Sequence, residues 1–415
     1  MTQAVPRAVS EAAPAEPGRR LRLILMLGSL AAVAPLSIDL YLPALPELTS
    51  DLSTTAVRTQ LTLTACVVGL AVGQVIAGPL SDTFGRRRPL LIGLGAYAVA
   101  SLLCAFAPTV EVLIALRAVQ GATGAAGVVI GRAIVRDRYE GVAAARFFAL
   151  LMLVSGLAPI LAPALGGQLL RFIPWPGLFV VLAAFGAVVL VAALLGLRET
   201  LPPEARAKGG VPTTLRTFGT LLADRVFCGY ALAIGLSFGA MFTYISGSPF
   251  VLQELYGLSP QAYSLAFGVN AVGLVAAGQL GGRLAGRVRL RRLLTAGLGV
   301  AVLGGALLLT AVLSGAGLPL VLPALFLVAA AQGIILPQIT ALALSGRPPR
   351  VAGSASALLG VTQFTLGGAA APLAGIGGPG TAVPMAAAIA ALTVAAVLAV
   401  TLLARRGTAK VASQD

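Results

Sequence analysis

The chain has 415 residues, 58% of them hydrophobic and only 10% charged, with a mean hydropathy of +0.96. Soluble domains carry about 25% charged residues, so this composition excludes a soluble globular protein and indicates a polytopic membrane protein. The net charge of +15 would suit a nucleic-acid partner only if it formed a patch. Instead, all but three of the 29 lysines and arginines fall in the tails or in alternate loops of an even-numbered helical bundle, the positive-inside pattern of a protein with both termini cytoplasmic. Arg58 and Arg171 fall in the opposite loops, and Arg117 falls inside a span.

Residues 1–22, rich in Ala, Pro and Glu, read as a disordered cytoplasmic tail. Apolar runs near 20 residues then recur at about 23–45, 57–79, 89–107, 110–132, 146–169, 175–197, 226–252, 262–283, 292–314, 318–342, 353–374 and 380–404, each long enough to span a bilayer. The first shows no convincing cleavage site and reads as a retained helix, not a signal peptide. The longest interior hydrophilic stretch, 198–225, carries Pro202, Pro203, Gly209 and Gly210 with mixed charges and divides the spans six and six. The expected architecture is all-α and membrane-embedded, with twelve transmembrane helices in two six-helix halves, 23–197 and 226–404, and a cytoplasmic tail at 405–415. The halves echo each other: Gly78-Pro79-Leu80 is matched by Gly278-Gln279-Leu280, and Gly85-Arg86 by Gly286-Arg287, with Gly282 in the place of Asp82. Trp175 opens the sixth span at its outer face, where an interfacial aromatic anchor sits.

Asp39 is the one carboxylate deep in a predicted span. An acid at a helix centre costs about 2.5–3.5 kcal/mol on the insertion scale, so it marks a site of proton exchange or a structural acid tied to a partner. Arg117 is the only basic residue inside a span. Asp39 precedes Pro46 by seven residues, about 10 Å of helix, and Arg117 follows Pro108 by eight or nine, about 12–13 Å. The two lie at similar depth, where they could pair or share a water-filled cavity; desolvation disfavours the charged acid and a paired arginine favours it. There is no histidine, so proton chemistry falls to carboxylates. Cys66, Cys104 and Cys228 lie in apolar runs without paired spacing and read as small core hydrophobes, not as a metal site or disulfide framework. No metal or cofactor is expected.

The turn Gly78-Pro79-Leu80-Ser81-Asp82-Thr83-Phe84-Gly85-Arg86-Arg87-Arg88-Pro89-Leu90 lies between two spans. It resembles the signature loop of the major facilitator superfamily, with Gly78, Leu80, Asp82, Gly85, Arg86 and Arg87 at matching positions, and the resemblance implies an inner-loop gate. Gly85 permits the backbone of a tight turn, and Asp82 can accept from an arginine or a helix N-terminus. Leu116-Arg117-Ala118-Val119-Gln120-Gly121 resembles the R-x-x-Q-G motif of the superfamily's fourth helix. Gly124, Gly127 and Gly131 continue it as a small-residue stripe suited to close helix packing. Gly156, Pro159, Pro163, Gly166 and Gly167 resemble the fifth-helix pattern of drug/proton antiporters, a structural signal from which no direct chemistry is expected. Asp39-Leu40-Tyr41-Leu42-Pro43-Ala44-Leu45-Pro46 is similar to the Bcr/CflA branch of bicyclomycin and chloramphenicol exporters. Some related exporters carry a second acid two turns before this one, where this chain has Ala31.

These resemblances imply a substrate cavity at the midplane between the halves. Asp39 and Arg117 are the expected proton-coupling pair. Asp39, Tyr41 and Gln120 are the expected substrate contacts of the first half, with Phe238, Met241, Tyr244, Asn270, Gln332, Gln338 and Gln363 in the second. As a set they suit a wide, mostly apolar cavity with few polar anchors. The expected function is proton-coupled efflux of amphipathic, phenicol-like or bicyclomycin-like antibiotics by a plasma-membrane protein working as a monomer, with the drug, protons and lipid as its partners and no nucleic acid. Export of an endogenous metabolite, sugar or peptide is the alternative, and a receptor role would leave Asp39 without a task. An integral membrane enzyme needs a cluster of nucleophile, base or metal ligands that this sequence does not offer.

Overall fold

The computed structural model describes residues 17–139, 141–206, 218–285, 287–345, 347, 349–378 and 380–404. The tail expected over 1–22 therefore lies outside the described residues up to residue 16, as do 207–217 of the linker, Gly286 of the second-half turn, and the tail 405–415. Pro17 opens the first helix six residues earlier than the sequence implied, at a position where a missing amide and a fixed φ cost nothing.

The first half contains α1 (Pro17–Asp39), α2 (Leu45–Asp51), α3 (Ala56–Phe84), α4 (Arg87–Cys104), α5 (Val110–Arg138), α6 (Gly141–Leu169) and α7 (Trp175–Gly196). The second contains α8 (Arg225–Pro249), α9 (Pro260–Leu284), α10 (Leu290–Leu313), α11 (Leu318–Leu344), α12 (Pro349–Ala370) and α13 (Val383–Leu403). Because α1 and α2 form one interrupted span, the described residues make an all-helical bundle of twelve membrane crossings. The start of α1 and the end of α13 lie at one end, here called the base; the opposite end is the top. Helix starts follow local chemistry: the side chains of Thr55, Thr109, Asp224 and Ser259 accept backbone amides in the first turns of α3, α5, α8 and α9.

Helix contacts repeat between the halves. A side chain on Gly69, Gly73 or Gly121 would overlap the carbonyls of Ala118, Ala122 or Cys66, so only glycine lets α3 and α5 approach this closely. In the second half Gly333 of α11 lies against the Leu274 carbonyl of α9 in the same way. The stripe continues along α5, where Gly127 and Gly131 receive Leu30 of α1. Trp175 is not a free interfacial anchor. It is buried and donates from Nε1 to Asp51 Oδ2 at 2.9 Å, tying the start of α7 to the end of α2.

The halves are joined by hydrogen bonds at the top. Gln60 and Thr64 of α3 donate to the carbonyls of Ser246 (3.2 Å) and Gly368 (2.7 Å). In the reverse direction Gln253 and Gln261 donate to the carbonyls of Pro43 (3.2 Å) and Gly167 (2.7 Å). The Gly167 contact brings α6 against α9, where an added side chain would also meet Ser264 and the Pro260 carbonyl. Gly166 sits on the Leu40 carbonyl, Pro163 is buried, and Gly156 lies in α6 where its surroundings are outside the described residues. At the base no hydrogen bond or ion pair crosses between the halves among the described residues.

Candidate functional site

The first span breaks at Asp39, and proline is the cause. Pro43 has no amide to donate to the Asp39 carbonyl, and Pro46 has none for Leu42, so α1 stops and a short 3-10 turn over Leu42–Ala44 leads into α2. The last carbonyls of α1 lose their helical partners. Arg117 answers one of them: its Nη2 donates to the Ser37 carbonyl at 2.8 Å, and its Nη1 donates to Gln120 Oε1. Gln120 in turn donates to Ser101 Oγ at 2.7 Å. The guanidinium lies 4.5 Å from the ring centre of Tyr41 and 5.6 Å from that of Phe179.

The expected Asp39–Arg117 pair is therefore not formed. Depth is similar, but Arg117 turns toward α1 and α7, away from the cavity. Its charge is offset by the negative end of the α1 dipole and by two aromatic faces. Tyr41 and Gln120 are corrected along with it. Tyr41 is fully buried, shares a 2.9 Å hydrogen bond with Thr62, and is not part of the wall of the cavity between the halves; the break rotates it away from the face that Asp39 presents. Gln120 is buried within the arginine network.

Asp39 faces a cavity of about 530 Å³ between the halves. Its residue is 5% exposed, and no hydrogen bond or ion pair reaches its carboxyl group among the described residues. The cavity runs from mid-bundle toward the base, where Thr340 of α11 and Ser356 and Gly360 of α12 line it. Its two sides differ in chemistry. The first half contributes Asp39, Gln74 and Arg132 along with small apolar residues that include Ala31 and Pro159. The second contributes every aromatic ring: Phe238 stacks on Phe242 and meets Phe364 edge-on, both at 5.6 Å, and Tyr244 stacks on Phe267 at 5.5 Å.

Of the residues singled out in the second half, Phe238, Met241, Tyr244, Asn270, Gln332 and Gln363 line this cavity and Gln338 does not. Gln338 is buried beside Gly281 of α9. Gln332 spends its amide on the Ser237 carbonyl (2.8 Å) and hydroxyl, and Asn270 donates to the Tyr244 hydroxyl at 2.8 Å. Gln74, Arg132, Phe242, Phe267 and Phe364 were missed. The apolar run ends at Arg132 and so implies a loop there, whereas α5 continues to Arg138. The available signal was Val128, one turn earlier on the same helical face and also on the cavity wall.

The signature loop forms a second cluster, at the base and within the first half. Gly85 adopts φ +87°, the left-handed region that glycine tolerates. Arg86 donates to Asp137 Oδ2 at 2.8 Å, to Ser81 Oγ at 2.9 Å and to Asp82. Arg87 donates to the carbonyls of Leu197 (2.9 Å) and Leu194 (3.0 Å), and the Glu199 carboxylate caps α4 at the Arg86 and Arg87 amides. Partial burial pushes the Glu199 carboxyl up, but the amides of Leu201, Arg86, Arg87 and Thr200 outweigh it and hold the group below the ordinary glutamate range. The cluster fixes the α3–α4 turn to the ends of α5 and α7. The Asp82 side chain is 49% exposed, and such an ion pair is worth up to about 1 kcal/mol, a factor of about five. Asp82→Asn is expected to slow transport by no more than that factor and to leave substrate affinity unchanged, because the cluster lies outside the cavity. Initial rates against substrate concentration in inverted vesicles check this, and a raised KM at unchanged maximal rate would contradict it.

Comparison with known proteins agrees with this architecture. The sequence pattern of the Major Facilitator Superfamily matches residues 27–372. The chain is 43% identical over 370 residues to the uncharacterized MFS-type transporter YdgK of Bacillus subtilis, covering 89% of this chain and 92% of the relative. It is 32% identical over 376 residues to the bicyclomycin resistance protein homolog of Haemophilus influenzae, covering 91% and 94%. Its fold resembles the crystal structure of a bacterial homolog of the human lysosomal transporter Spinster in an inward-facing and occupied conformation, with a TM-score of 0.74 and 18% identity over 95% of this chain and 98% of that one. Twelve membrane crossings in two like halves around a shared cavity, together with a family pattern over most of its length, place this chain in the major facilitator superfamily, as a multi-pass membrane transporter of small molecules and not an enzyme.

Proposed function

We propose that the protein exports amphipathic antibiotics of the phenicol or bicyclomycin type in exchange for protons, working as a monomer in the plasma membrane with both termini cytoplasmic. The observation that carries the reading is Asp39: a carboxyl group without a partner among the described residues, at a helix break, facing a cavity whose other wall is aromatic. Such a cavity suits a ligand with an apolar body and few polar groups. The relative named for bicyclomycin resistance supports the drug class.

The halves 23–197 and 226–404 rock about the cavity, joined through 198–225. Asp39 carries the proton, and Arg117 positions Asp39 by holding the end of α1. With the hydrogen bonds at the top closed and the base unlatched, the cavity faces the cytoplasm. Drug enters there, the top opens, and a proton taken by Asp39 from outside displaces the drug and returns with the empty carrier.

Asp39 is the only carboxylate lining the cavity among the described residues. Glu111 is exposed and paired with Arg58 at 2.8 Å, and Glu254 lies near the top beyond α8. The reading is therefore one proton per drug. For a neutral drug this exchange moves net charge, worth about 2.3 kcal/mol per 100 mV, so the membrane potential drives export together with the pH gradient. The test is chloramphenicol transport in proteoliposomes with the pH gradient clamped at zero and a potassium-diffusion potential imposed in either sense. Transport that reverses with the potential is expected; transport indifferent to it would refute one-proton exchange.

A further inference from the structure

The cavity contains a second charged group that the proton-exchange scheme does not use. Arg132 lines it from α5, is exposed within it, and makes no hydrogen bond or ion pair among the described residues. Its level follows from helix packing. Leu30 of α1 fits between Gly127 and Gly131 of α5, so Arg132 lies at about the depth of Leu30. Asp39 is nine residues further along α1, about 13–14 Å toward the top. The aromatic wall of α8, α9 and α12 runs opposite this interval. Arg136, one turn further toward the base, is also exposed and has the same charge.

A guanidinium cannot shed its proton, and it presents a planar fork of donors that fits a carboxylate or another oxyanion with two parallel bonds. A fork left unengaged at the wall of a cavity can donate to such a group on a ligand. The same charge opposes any ligand with an ammonium group at that level. Taking the cavity as the substrate site, we propose that Arg132 selects substrates by an anionic or strongly accepting oxygen group. The preferred substrates are then elongated amphiphiles with an aromatic body against the second half and a carboxylate-like end at Arg132, and permanently cationic drugs are disfavoured.

The test uses three probes with one aromatic body: 4-(1-pyrenyl)butanoate, its primary amide, and the corresponding trimethylammonium compound. Binding to the purified full-length protein in nanodiscs is measured by fluorescence anisotropy, with empty nanodiscs subtracted. The wild type is expected to bind the carboxylate about tenfold more tightly than the amide, as one charge-assisted bond gained over a neutral one predicts, and the ammonium compound more weakly than either. In Arg132→Gln the carboxylate-to-amide ratio should collapse toward one, and in Arg132→Lys it should fall only in part. Equal affinities in the wild type, no binding of any probe, or a preference that survives Arg132→Gln would overturn the proposal. If Arg132→Gln does not fold, as judged by its unfolding transition, an unaltered ratio in Arg132→Lys overturns it equally. No proton gradient is present in this experiment, so failure of proton-driven export would leave its outcome untouched, and the reverse also holds.

Discussion

Cells producing the Asp39→Asn variant are expected to be as drug-sensitive as cells lacking the protein, although the variant reaches the membrane at the wild-type level. Asparagine matches the size of aspartate and fits the end of α1, where the carboxyl group has no partner to lose among the described residues. Folding therefore has little reason to change. Only the capacity to bind and release a proton goes, and with it the link between drug movement and the proton gradient. One charge across 100 mV is about 2.3 kcal/mol, and 1.4 kcal/mol is a factor of ten, so every 100 mV of lost drive removes about fifty-fold of drug gradient. Exchange of drug for drug down a gradient should survive, because it needs alternating access without a proton. The measurement is resistance at matched expression, paired with counterflow of labelled drug in proteoliposomes. Wild-type resistance in the variant would remove Asp39 from the mechanism, and loss of counterflow as well would assign it to drug binding instead of coupling.

Much of this site was legible in the sequence, because a membrane makes some signals loud. A carboxylate in an apolar run is costly enough to stand out, as Asp39 does. Apolar run lengths marked all twelve crossings, and Gly85 with its arginines marked the turn at the base. What stayed hidden depends on rotation about helix axes. Arg117 and Asp39 share a depth, but one helix turns its side chain into a buried network and the other into the cavity. Tyr41, two residues past Asp39, points elsewhere than depth alone implies, because the proline-induced break resets its direction. Arg132 differs for another reason. An apolar run ends where side chains become polar, but a helix ends only where its backbone is stopped, and nothing between Arg132 and Arg138 stops α5. Phe242, Phe267 and Phe364 gave no signal, because a phenylalanine in a spanning helix faces lipid, a neighbour or a cavity with equal ease.

Removing the Arg117 side chain is expected to be the most damaging single truncation for folding. Arg117→Ala leaves the Ser37 carbonyl and Gln120 without their donors in a fully buried setting. Each such group costs about 1–3 kcal/mol in soluble proteins, whereas hydrogen bonds between helices in a bilayer average about 0.6 kcal/mol. The lower figure applies to the Gln120 bond, which joins neighbouring turns of one helix and can be replaced by a shift of the amide. The Ser37 bond is different, because its carbonyl lies in the last turn of α1, where Arg117 stands in for a helical amide. Loss of both stacked rings adds about 0.5–2 kcal/mol, and the emptied volume adds more. A drop of several kelvin in unfolding midpoint, with reduced yield, is therefore expected for Arg117→Ala. Arg117→Lys should fall between it and the wild type, since an ammonium can reach one acceptor but cannot fork to two. In the double variant with Asp39→Asn, the two losses of stability should add to within about 0.3–0.5 kcal/mol, because the side chains share no bond. If Asp39→Asn instead restores the stability that Arg117→Ala removes, the two charges pair in another state of the transport cycle, and the arginine is a counter-ion of the proton carrier as well as the cap of its helix.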